Sequence, residues 1–381
     1  MTKRLLDCVR AEDTVARQGG DEFIIVLNSI GKSIDAAKVA QKILDTLELP
    51  FCINGNEFFI GSSIGIAVFP NDGSDAETLL KNSDVAMYHA KENGRSNFQF
   101  YTEGLNKSFH ERQALSLDLR YALARDEFVL YYQPLFSGVD NQLYGVEALI
   151  RWQHPERDMV APDKFISLAE ETGLIIPIGE WVIETACKQI NAWQAQGYCV
   201  PRVAINLSAR QFQDNKLVSN ISRILKKTGV ESKYIALEIT ESMLVDNIER
   251  VIETLSHLNE MGIHISIDDF GTGYSSLSYL KQFPINTLKI DRSFVRDIVV
   301  DKSDYAIVSA IIAMAHSLEM EVVAEGIETE EQLNILLRQK CNYFQGYYFS
   351  KPVIASGVER FLRKKAQCVN KLKVIHSKIR S

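Results

Sequence analysis

Short apolar runs alternate with helical patterns along most of the chain, and their arrangement changes near residue 105. From about residue 127 onward there are eight such runs, and most gaps between them carry apolar residues at helical spacing, as in 178–196, 247–261 and 303–318. Eight strands with intervening helices over about 250 residues predict a (β/α)8 TIM-like barrel. The predicted strands are 128–136, 143–152, 202–208, 235–240, 264–270, 287–292, 321–327 and 343–349.

The connection between the first two predicted barrel strands is too short for a regular barrel. Only residues 137–142 join strand 128–136 to strand 143–152. Parallel neighbours need a connection of about a dozen or more residues. We therefore expect this pair to be antiparallel, so that the barrel contains one antiparallel strand.

The first part of the chain, residues 1–105, predicts a partial α+β sheet domain. Two strands flank Asn54-Gly55-Asn56, which is a hairpin signal. A helical pattern at 3–10 opens the chain with no strand before it, so we expect the first strand of this domain to be missing. The predicted helices are 34–47 and 75–91, and the predicted strands are 22–27, 51–53, 57–69 and 97–101.

Two other segments complete the predicted organisation. Residues 106–126 form a charged amphipathic pattern, which predicts a helix connecting the first part to the barrel at 127–363. Residues 364–381 form a basic C-terminal tail.

Composition narrows the class of protein. Hydrophobic residues make up 46% of the chain, which excludes a disordered or fibrous protein. The net charge of -7 does not suit binding to duplex nucleic acid, which needs a basic surface. The 6 cysteines include no CxxC pair, and neither a membrane-spanning apolar run nor a secretory signal core is present. We expect a cytoplasmic protein with reduced thiols and no membrane segment.

Polar residues recur where the predicted barrel strands end. In a barrel these ends converge on one face, where active sites lie. A single acidic residue at a strand end is usually a turn residue, but many carboxylates together are costly without cations. Oxygen ligands without His or Cys favour two Mg²⁺ or Mn²⁺ ions, which suit phosphoryl displacement. The residues are Glu147, Asn206, Glu238, Asp268, Asp269, Lys289 and Glu325, with Gln345 inside the last strand.

Two features of this face have more than one interpretation. Lys289 could orient or deprotonate an attacking water or neutralise developing charge, and it could equally form a salt bridge to the acidic cluster. The segment 270–280, with Gly271 and Gly273, could be a mobile gate or an ordinary loop after a strand.

Short motifs surround these strand ends. They are Tyr132-Gln133-Pro134, Glu147-Ala148-Leu149, Asn206-Leu207-Ser208, Glu238-Ile239-Thr240-Glu241-Ser242, Asp268-Asp269-Phe270-Gly271, Lys289-Ile290-Asp291, Glu325-Gly326-Ile327-Glu328 and Gln345-Gly346-Tyr347. In this order they resemble the motifs of EAL-domain cyclic-di-GMP phosphodiesterases, from about residue 112 to 363. The resemblance implies metal-dependent hydrolysis of cyclic-di-GMP to linear pGpG.

The same resemblance implies a role for each site residue. The implied ligands of two Mg²⁺ or Mn²⁺ ions are Glu147, Asn206, Glu238, Asp268, Asp269 and Glu325. Lys289 is implied to activate the water, with Glu147 and Glu325 also catalytic. The implied substrate contacts are Gln133, Arg151 and Gln345. Glu241 is implied to hold the loop after the Asp pair, and Glu328 to lie in the outer shell of the site together with Gln345.

The first part of the chain carries a second resemblance. Gly19-Gly20-Asp21-Glu22 resembles the signature hairpin of GGDEF diguanylate cyclases, although a tight turn would use the same residues. Arg10 and Asp13 resemble the product-inhibition motif of that family, or a plain helix end. Since the family's first strand carries a further metal ligand, we expect this chain not to make cyclic-di-GMP, and the GGDEF-like part to be regulatory or inactive.

Two other functions compete with phosphodiesterase activity. The first is a catalytically silent cyclic-di-GMP receptor, which the intact Glu147, Glu241 and Lys289 argue against. The second is a diguanylate cyclase. The resemblance also implies a homodimer through the barrel, with an interface near the 270–280 loop.

Overall fold

The computed structural model describes residues 1–53, 55–244, 247–271 and 280–363, and of residues 53, 56 and 107–110 it describes the backbone alone. The chain forms two compact units that divide between Leu117 and Asp118. This division falls within the helix Glu103–Ala122, which occupies most of the predicted connecting segment. None of the described helices is both long enough and apolar enough to span a membrane.

The first unit combines three helices and most of a fourth with short strands, among the residues that the structure describes. Its helices are α1 (Thr2–Leu6), α2 (Ser33–Glu48), α3 (Ala76–Glu92) and α4 (Glu103–Ala122). Its strands are β1 (Thr14–Gly19), β2 (Glu22–Val26), β3 (Phe51–Ile53), β4 (Asn56–Phe58), β5 (Ile64–Ile66) and β6 (Phe98–Phe100). The strands form three two-stranded sheets, β1-β2, β3-β4 and β5-β6, within the described residues.

The predicted strand 57–69 is wrong as a single element. Its first residues belong to β4, which pairs antiparallel with β3, whereas β5 pairs parallel with β6. The break contains Gly61-Ser62-Ser63, which are turn residues rather than strand formers. Gly65 then lies against α3 so closely that a Cβ would be 1.9 Å from the Ser83 carbonyl oxygen. Asn54 of the predicted hairpin turn lies outside the described residues.

The second unit is the predicted barrel. Its strands are β7 (Phe128–Ser137), β8 (Leu143–His154), β9 (Asp158–Val160), β10 (Arg202–Asn206), β11 (Ile235–Thr240), β12 (His264–Phe270), β13 (Thr287–Ile290), β14 (Glu321–Ala324) and β15 (Tyr343–Phe344). The helices are α5 (Pro162–Thr172), α6 (Ile175–Ala195), α7 (Ala209–Phe212), α8 (Leu217–Thr228), α9 (Ile248–Glu260), α10 (Arg292–Arg296), α11 (Lys302–Ser317) and α12 (Glu330–Arg338). Short 3-10 helices lie at Ser232–Tyr234 and Glu241–Leu244, and another α-helix covers 355–363.

The strand pairing confirms the predicted irregularity. β7 pairs antiparallel with β8 and with β15, whereas β10 to β15 pair in parallel and β10 closes the barrel against β8. The short connection at 137–142 therefore forces a hairpin, as chain length requires. β9 extends β8 at its far end as a further antiparallel strand.

A polar cluster holds the strand starts together, at the end of the barrel opposite the acidic residues. The rings of Tyr144 and Tyr343 stack with centroids 3.6 Å apart, and both hydroxyls donate to Glu321, at 3.0 and 2.6 Å. Arg202 donates to the Tyr144 hydroxyl at 2.9 Å. The register between β7 and β8 skips Tyr144, and such a bulge re-aims a side chain. The cluster thereby joins β8 and β15 across the antiparallel β7.

Replacement of Tyr343 by phenylalanine tests this cluster. The change removes one of two hydroxyl donors to Glu321 and leaves a half-buried carboxylate oxygen without that hydrogen bond. We expect the free energy of unfolding to fall by about 1–3 kcal/mol, measured by urea denaturation. Tyr305→Phe, at an exposed position on α11, is the matched control and should leave stability unchanged. Equal stability of the two variants would show that the cluster does not stabilise the barrel.

Candidate active site

The carboxyl ends of the barrel strands bring the predicted acidic residues together around Lys289. This side chain is buried, at 1% exposure. Its Nζ lies 2.8 Å from Glu238 Oε2, 3.1 Å from Asp268 Oδ1 and 2.6 Å from Glu325 Oε1. Glu147 Oε2 is 3.9 Å away. Lys289 therefore forms the predicted salt bridges to the acidic cluster. The predicted role toward an attacking water is compatible with them, because the same ammonium can also donate to a substrate or a water molecule.

Glu147 is held from two sides by amide groups. Asn206 Nδ2 donates to Glu147 Oε1 at 2.6 Å, and Gln345 Nε2 donates to Glu147 Oε2 at 2.6 Å. Gln345 also donates to Gln133 Oε1 at 3.2 Å. The structure thus unites residues from β7, β8, β10 and the end of β15, which are far apart in sequence.

The site confines more negative than positive charge. Burial raises the pKa of the Glu238 and Glu325 carboxyl groups; Lys289 opposes this rise and neighbouring carboxylates add to it. Burial alone would lower the pKa of Lys289, but the surrounding carboxylates outweigh burial and raise it. A bound cation would relieve this crowding of carboxylates.

Asp269 adopts an unusual backbone conformation at the end of β12. Its φ of 53° lies in the left-handed region, which turns its side chain away from the direction that a continuing strand would give it. Burial, the charge of Asp268 and a hydrogen bond with the Asp291 carboxyl raise the pKa of Asp269 to about 6. Asp268 contacts Lys289 and Asp269 contacts Asp291, so the two adjacent carboxyl groups have different partners.

The donor chemistry of the site fits hard divalent cations. The candidate ligands present only oxygen to a cation, which Mg²⁺ and Mn²⁺ prefer. Gln345 Oε1 is buried without a hydrogen-bond partner among the described residues, so it can accept from a group in the loaded site. Within those residues no group of three or more His, Cys, Asp or Glu side chains forms a ready-made metal site. The Lys289 ammonium lies between the carboxylates instead.

Arg151 lies beside the acidic cluster on β8. Its guanidinium is 5.7 Å from the centre of the Tyr131 ring and donates to the carbonyl oxygen of Ile150. Burial lowers the pKa of Arg151, and the neighbouring Tyr347 and Glu147 oppose that shift. A half-buried guanidinium against an aromatic ring suits recognition of a phosphate or a base.

Glu241 contacts the start of the loop that follows the two aspartates. The residue is 3% exposed, and its Oε2 accepts a hydrogen bond from the Gly271 N–H at 2.9 Å. Gly271 has a φ of 101°, which a residue with a side chain rarely adopts. The rest of the predicted gate, residues 272–279, lies outside the described residues, as does the predicted basic tail at 364–381.

The remaining predicted residues are exposed or make hydrogen bonds of their own. Glu328 is exposed, and its N–H donates to Gln332 Oε1. Gly19, Gly20, Asp21 and Glu22 form an exposed turn between β1 and β2. Asp13 accepts hydrogen bonds from the backbone N–H groups of Arg10 and Asn28, which lower its pKa. Asp13 therefore joins the turn at Arg10 to the residues that follow β2, and the roles implied for Arg10, Asp13 and Glu328 stay predictions.

Sequence reasoning assigned no role to Asp291 or Tyr131, which the structure places at the site. Asp291 hydrogen-bonds to Asp269, and it also accepts from the Ser293 N–H at the start of α10. Asp291 lies two residues after Lys289, and alternate residues of a strand share a face. This spacing could have placed Asp291 on the same side as Lys289 from the sequence alone. Tyr131 precedes Gln133 by the same spacing on β7.

Comparisons with known proteins identify the family that each part of the chain resembles. The EAL domain model matches residues 116–352, and the model described as diguanylate cyclase, GGDEF domain, matches residues 1–97. The chain is 43% identical over 355 residues to the bifunctional diguanylate cyclase/cyclic di-GMP phosphodiesterase MucR of Pseudomonas aeruginosa, covering 93% of this chain and 52% of MucR.

One further relative and one solved structure match at similar identity. The cyclic di-GMP phosphodiesterase PdeR of Escherichia coli is 39% identical over 360 residues, covering 94% of this chain and 54% of PdeR. The solved structure of the PaMucR phosphodiesterase in complex with c-di-GMP has 44% identity and a TM-score of 0.63. It covers 64% of this chain and 99% of that one. The chain spans about half the length of the curated relatives it matches.

Proposed function

The chain belongs to the EAL-domain family, and from this premise we propose that its barrel hydrolyses one phosphodiester bond of cyclic-di-GMP to give linear pGpG. The observation that carries the proposal is the buried Lys289 ammonium among carboxylates from four barrel strands. Relatives named as cyclic-di-GMP phosphodiesterases support the choice of substrate.

Two Mg²⁺ or Mn²⁺ ions are the proposed cofactors. The residues that would hold them are Glu147, Asn206, Glu238, Asp268, Asp269 and Glu325. When bound, such ions neutralise phosphate charge and make a water molecule more acidic. Four carboxyl groups gathered around a single ammonium and an all-oxygen donor set support this assignment.

The protein's own side chains orient the attacking water and donate hydrogen bonds to the reacting groups. Because the surrounding carboxylates raise its pKa, Lys289 is an ammonium in this arrangement and donates hydrogen bonds from Nζ. We propose that it orients the attacking water and stabilises charge on the phosphate oxygens. Asn206 and Gln345 each donate a hydrogen bond to one carboxylate oxygen of Glu147 and so orient it.

Arg151 is proposed to bind the substrate rather than to take part in the chemistry. Arg151→Ala removes a half-buried guanidinium that can pair with a phosphate oxygen. We expect KM for cyclic-di-GMP to rise by about tenfold or more with little change in kcat, because charge-assisted hydrogen bonds contribute about 1.5–3 kcal/mol. Steady-state kinetics of the parent and of Arg151→Ala measure KM and kcat separately. An unchanged KM would show that Arg151 does not bind the substrate.

The direct test is hydrolysis by the purified chain. Cyclic-di-GMP is incubated with the protein and Mg²⁺ or Mn²⁺, and linear pGpG is followed by chromatography. We expect product in the presence of either ion, none in excess chelator, and recovery when the ion is restored. Hydrolysis that persists in chelator contradicts the metal-dependent mechanism. Binding of cyclic-di-GMP without product indicates a silent receptor.

We propose that the GGDEF-matching part is regulatory or inactive, that the barrel forms a homodimer and that the protein is cytoplasmic. The five cysteines in the described residues are unpaired, which is consistent with a reducing compartment. Size-exclusion chromatography with light scattering tests the homodimer directly.

A further inference from the structure

Two side-chain amides connect the end of the last barrel strand to Glu147. Gln345 follows β15 directly and is 4% exposed. Its Nε2 donates to Glu147 Oε2 at 2.6 Å and to Gln133 Oε1 at 3.2 Å. Gln133 Nε2 donates in turn to the carbonyl oxygen of Ser350 at 3.3 Å. We call Gln133 and Gln345 the amide string.

The groups at the two ends set the direction of every hydrogen bond in the amide string. A carboxylate and a peptide carbonyl can only accept, so Glu147 receives Nε2 of Gln345 and Ser350 receives Nε2 of Gln133. Gln133 Oε1 is then left to accept the second hydrogen of Gln345 Nε2. The two amides therefore have one consistent arrangement. It leaves Gln345 Oε1 buried without a partner among the residues that the structure describes.

The backbone at Gln345 is fixed as well. Its N–H donates to the Ala324 carbonyl oxygen at 2.9 Å, and its own carbonyl accepts from the Ile327 N–H at 3.1 Å. A Cβ on Gly346 would lie 2.0 Å from the Ile327 carbonyl oxygen, so only glycine permits this approach. Gln345 thus reaches Glu147 from a position that its neighbours determine.

We propose that Gln345 is a positioning residue that holds Glu147 in the orientation in which its carboxylate binds a divalent cation. The proposal rests on the proposed function for the identity of the cation site. Asn206 and Gln345 each hold one oxygen of Glu147, so the carboxylate is oriented before any cation arrives. Without the Gln345 donor, Glu147 Oε2 is drawn toward Lys289 Nζ, now 3.9 Å away. A cation must then compete with that ammonium for the carboxylate.

Binding of Mn²⁺ alone to the full chain tests the proposal. Gln345→Met preserves the length of the side chain and removes both donors. Isothermal titration calorimetry should show Mn²⁺ affinity lowered by about 10–100-fold, as is typical when a hydrogen bond to a metal ligand is lost. Gln133→Met keeps the hydrogen bond from Gln345 to Glu147. It removes the hydrogen bonds that Gln133 makes with Gln345 and with the Ser350 carbonyl oxygen. It should lower the affinity in the same direction by a smaller factor.

Gln339 provides a matched control. Its Nε2 donates to Ser309 Oγ at 2.8 Å, and its Oε1 is also buried without a partner among the described residues, but it ends the outer helix α12. Gln339→Met should leave Mn²⁺ affinity at the parent value while changing the thermal midpoint about as much as Gln345→Met does. This comparison separates a loss of positioning from a general loss of buried hydrogen bonds.

Each outcome decides the question. Equal Mn²⁺ affinity in the parent and Gln345→Met overturns the inference, whether or not the chain hydrolyses cyclic-di-GMP. Weakened affinity in Gln345→Met, in a chain that hydrolyses nothing, supports the inference and contradicts the proposed function. If Gln345→Met does not fold, a parent-like affinity in Gln133→Met overturns it.

Discussion

Lys289→Met is expected to lower the turnover of cyclic-di-GMP by about 10²–10⁴-fold, the range typical of a group that holds or moves a proton at the reacting atoms. The substitution removes an ammonium that lies 2.6–3.1 Å from three carboxylates. Methionine fills similar space, so the loss is mainly one of charge and hydrogen bonding. Steady-state kinetics at saturating Mg²⁺ measure the effect.

The same variant should lose stability unless cations are supplied. Removal of one partner from a buried ion pair costs about 3–5 kcal/mol, because the remaining charge is left uncompensated. Mg²⁺ or Mn²⁺ binding should therefore raise the thermal midpoint of Lys289→Met by more than it raises that of the parent. Lys226→Met, at an exposed position on α8, is the control and should match the parent. Parent-like turnover in Lys289→Met would show that the ammonium is structural only.

The barrel and its irregular strand could be predicted because both follow from short-range features of the sequence. Alternating apolar runs and helical patterns specify the order of elements, and the length of 137–142 excludes a crossover helix. The convergence of Glu238, Asp268 and Lys289 then follows from topology, since parallel strands end on the same face.

The ends of the strands could not be predicted in the same way. The apolar run 343–349 predicts a strand of seven residues, but only Tyr343–Phe344 pairs. The chain turns at Gly346 because this glycine packs directly on the Ile327 backbone, which is a tertiary contact without a periodic signal. The bulge at Tyr144 likewise depends on pairing between β7 and β8. The hydrogen bonds that join Gln345 to Glu147 and Asp291 to Asp269 therefore required the structure.

Glu241→Ala is expected to reduce turnover by about a hundredfold while the barrel remains folded, because a misplacement of about 1 Å can cost this much. The Glu241 carboxylate accepts from the Gly271 N–H, and Gly271 lies two residues after Asp269. A Cβ on Gly271 would be 2.9 Å from the Phe294 ring, so the backbone of Gly271 packs directly against that ring. Loss of the anchor should therefore disturb Asp268 and Asp269. Turnover, Mg²⁺ dependence and thermal midpoint are measured beside the parent.

Glu241→Gln distinguishes the anchor from a simple charge effect. Glutamine has the same shape and keeps a carbonyl oxygen that can accept from the Gly271 N–H, but it removes the negative charge. If the hydrogen bond positions the aspartates, Glu241→Gln should retain most of the turnover that Glu241→Ala loses. If negative charge is what matters, both variants should lose turnover equally and require more Mg²⁺. Parent-like turnover of Glu241→Ala at saturating Mg²⁺ would exclude a role for Glu241 in holding Asp268 and Asp269, because the buried hydrogen bond would then stabilise only its own turn.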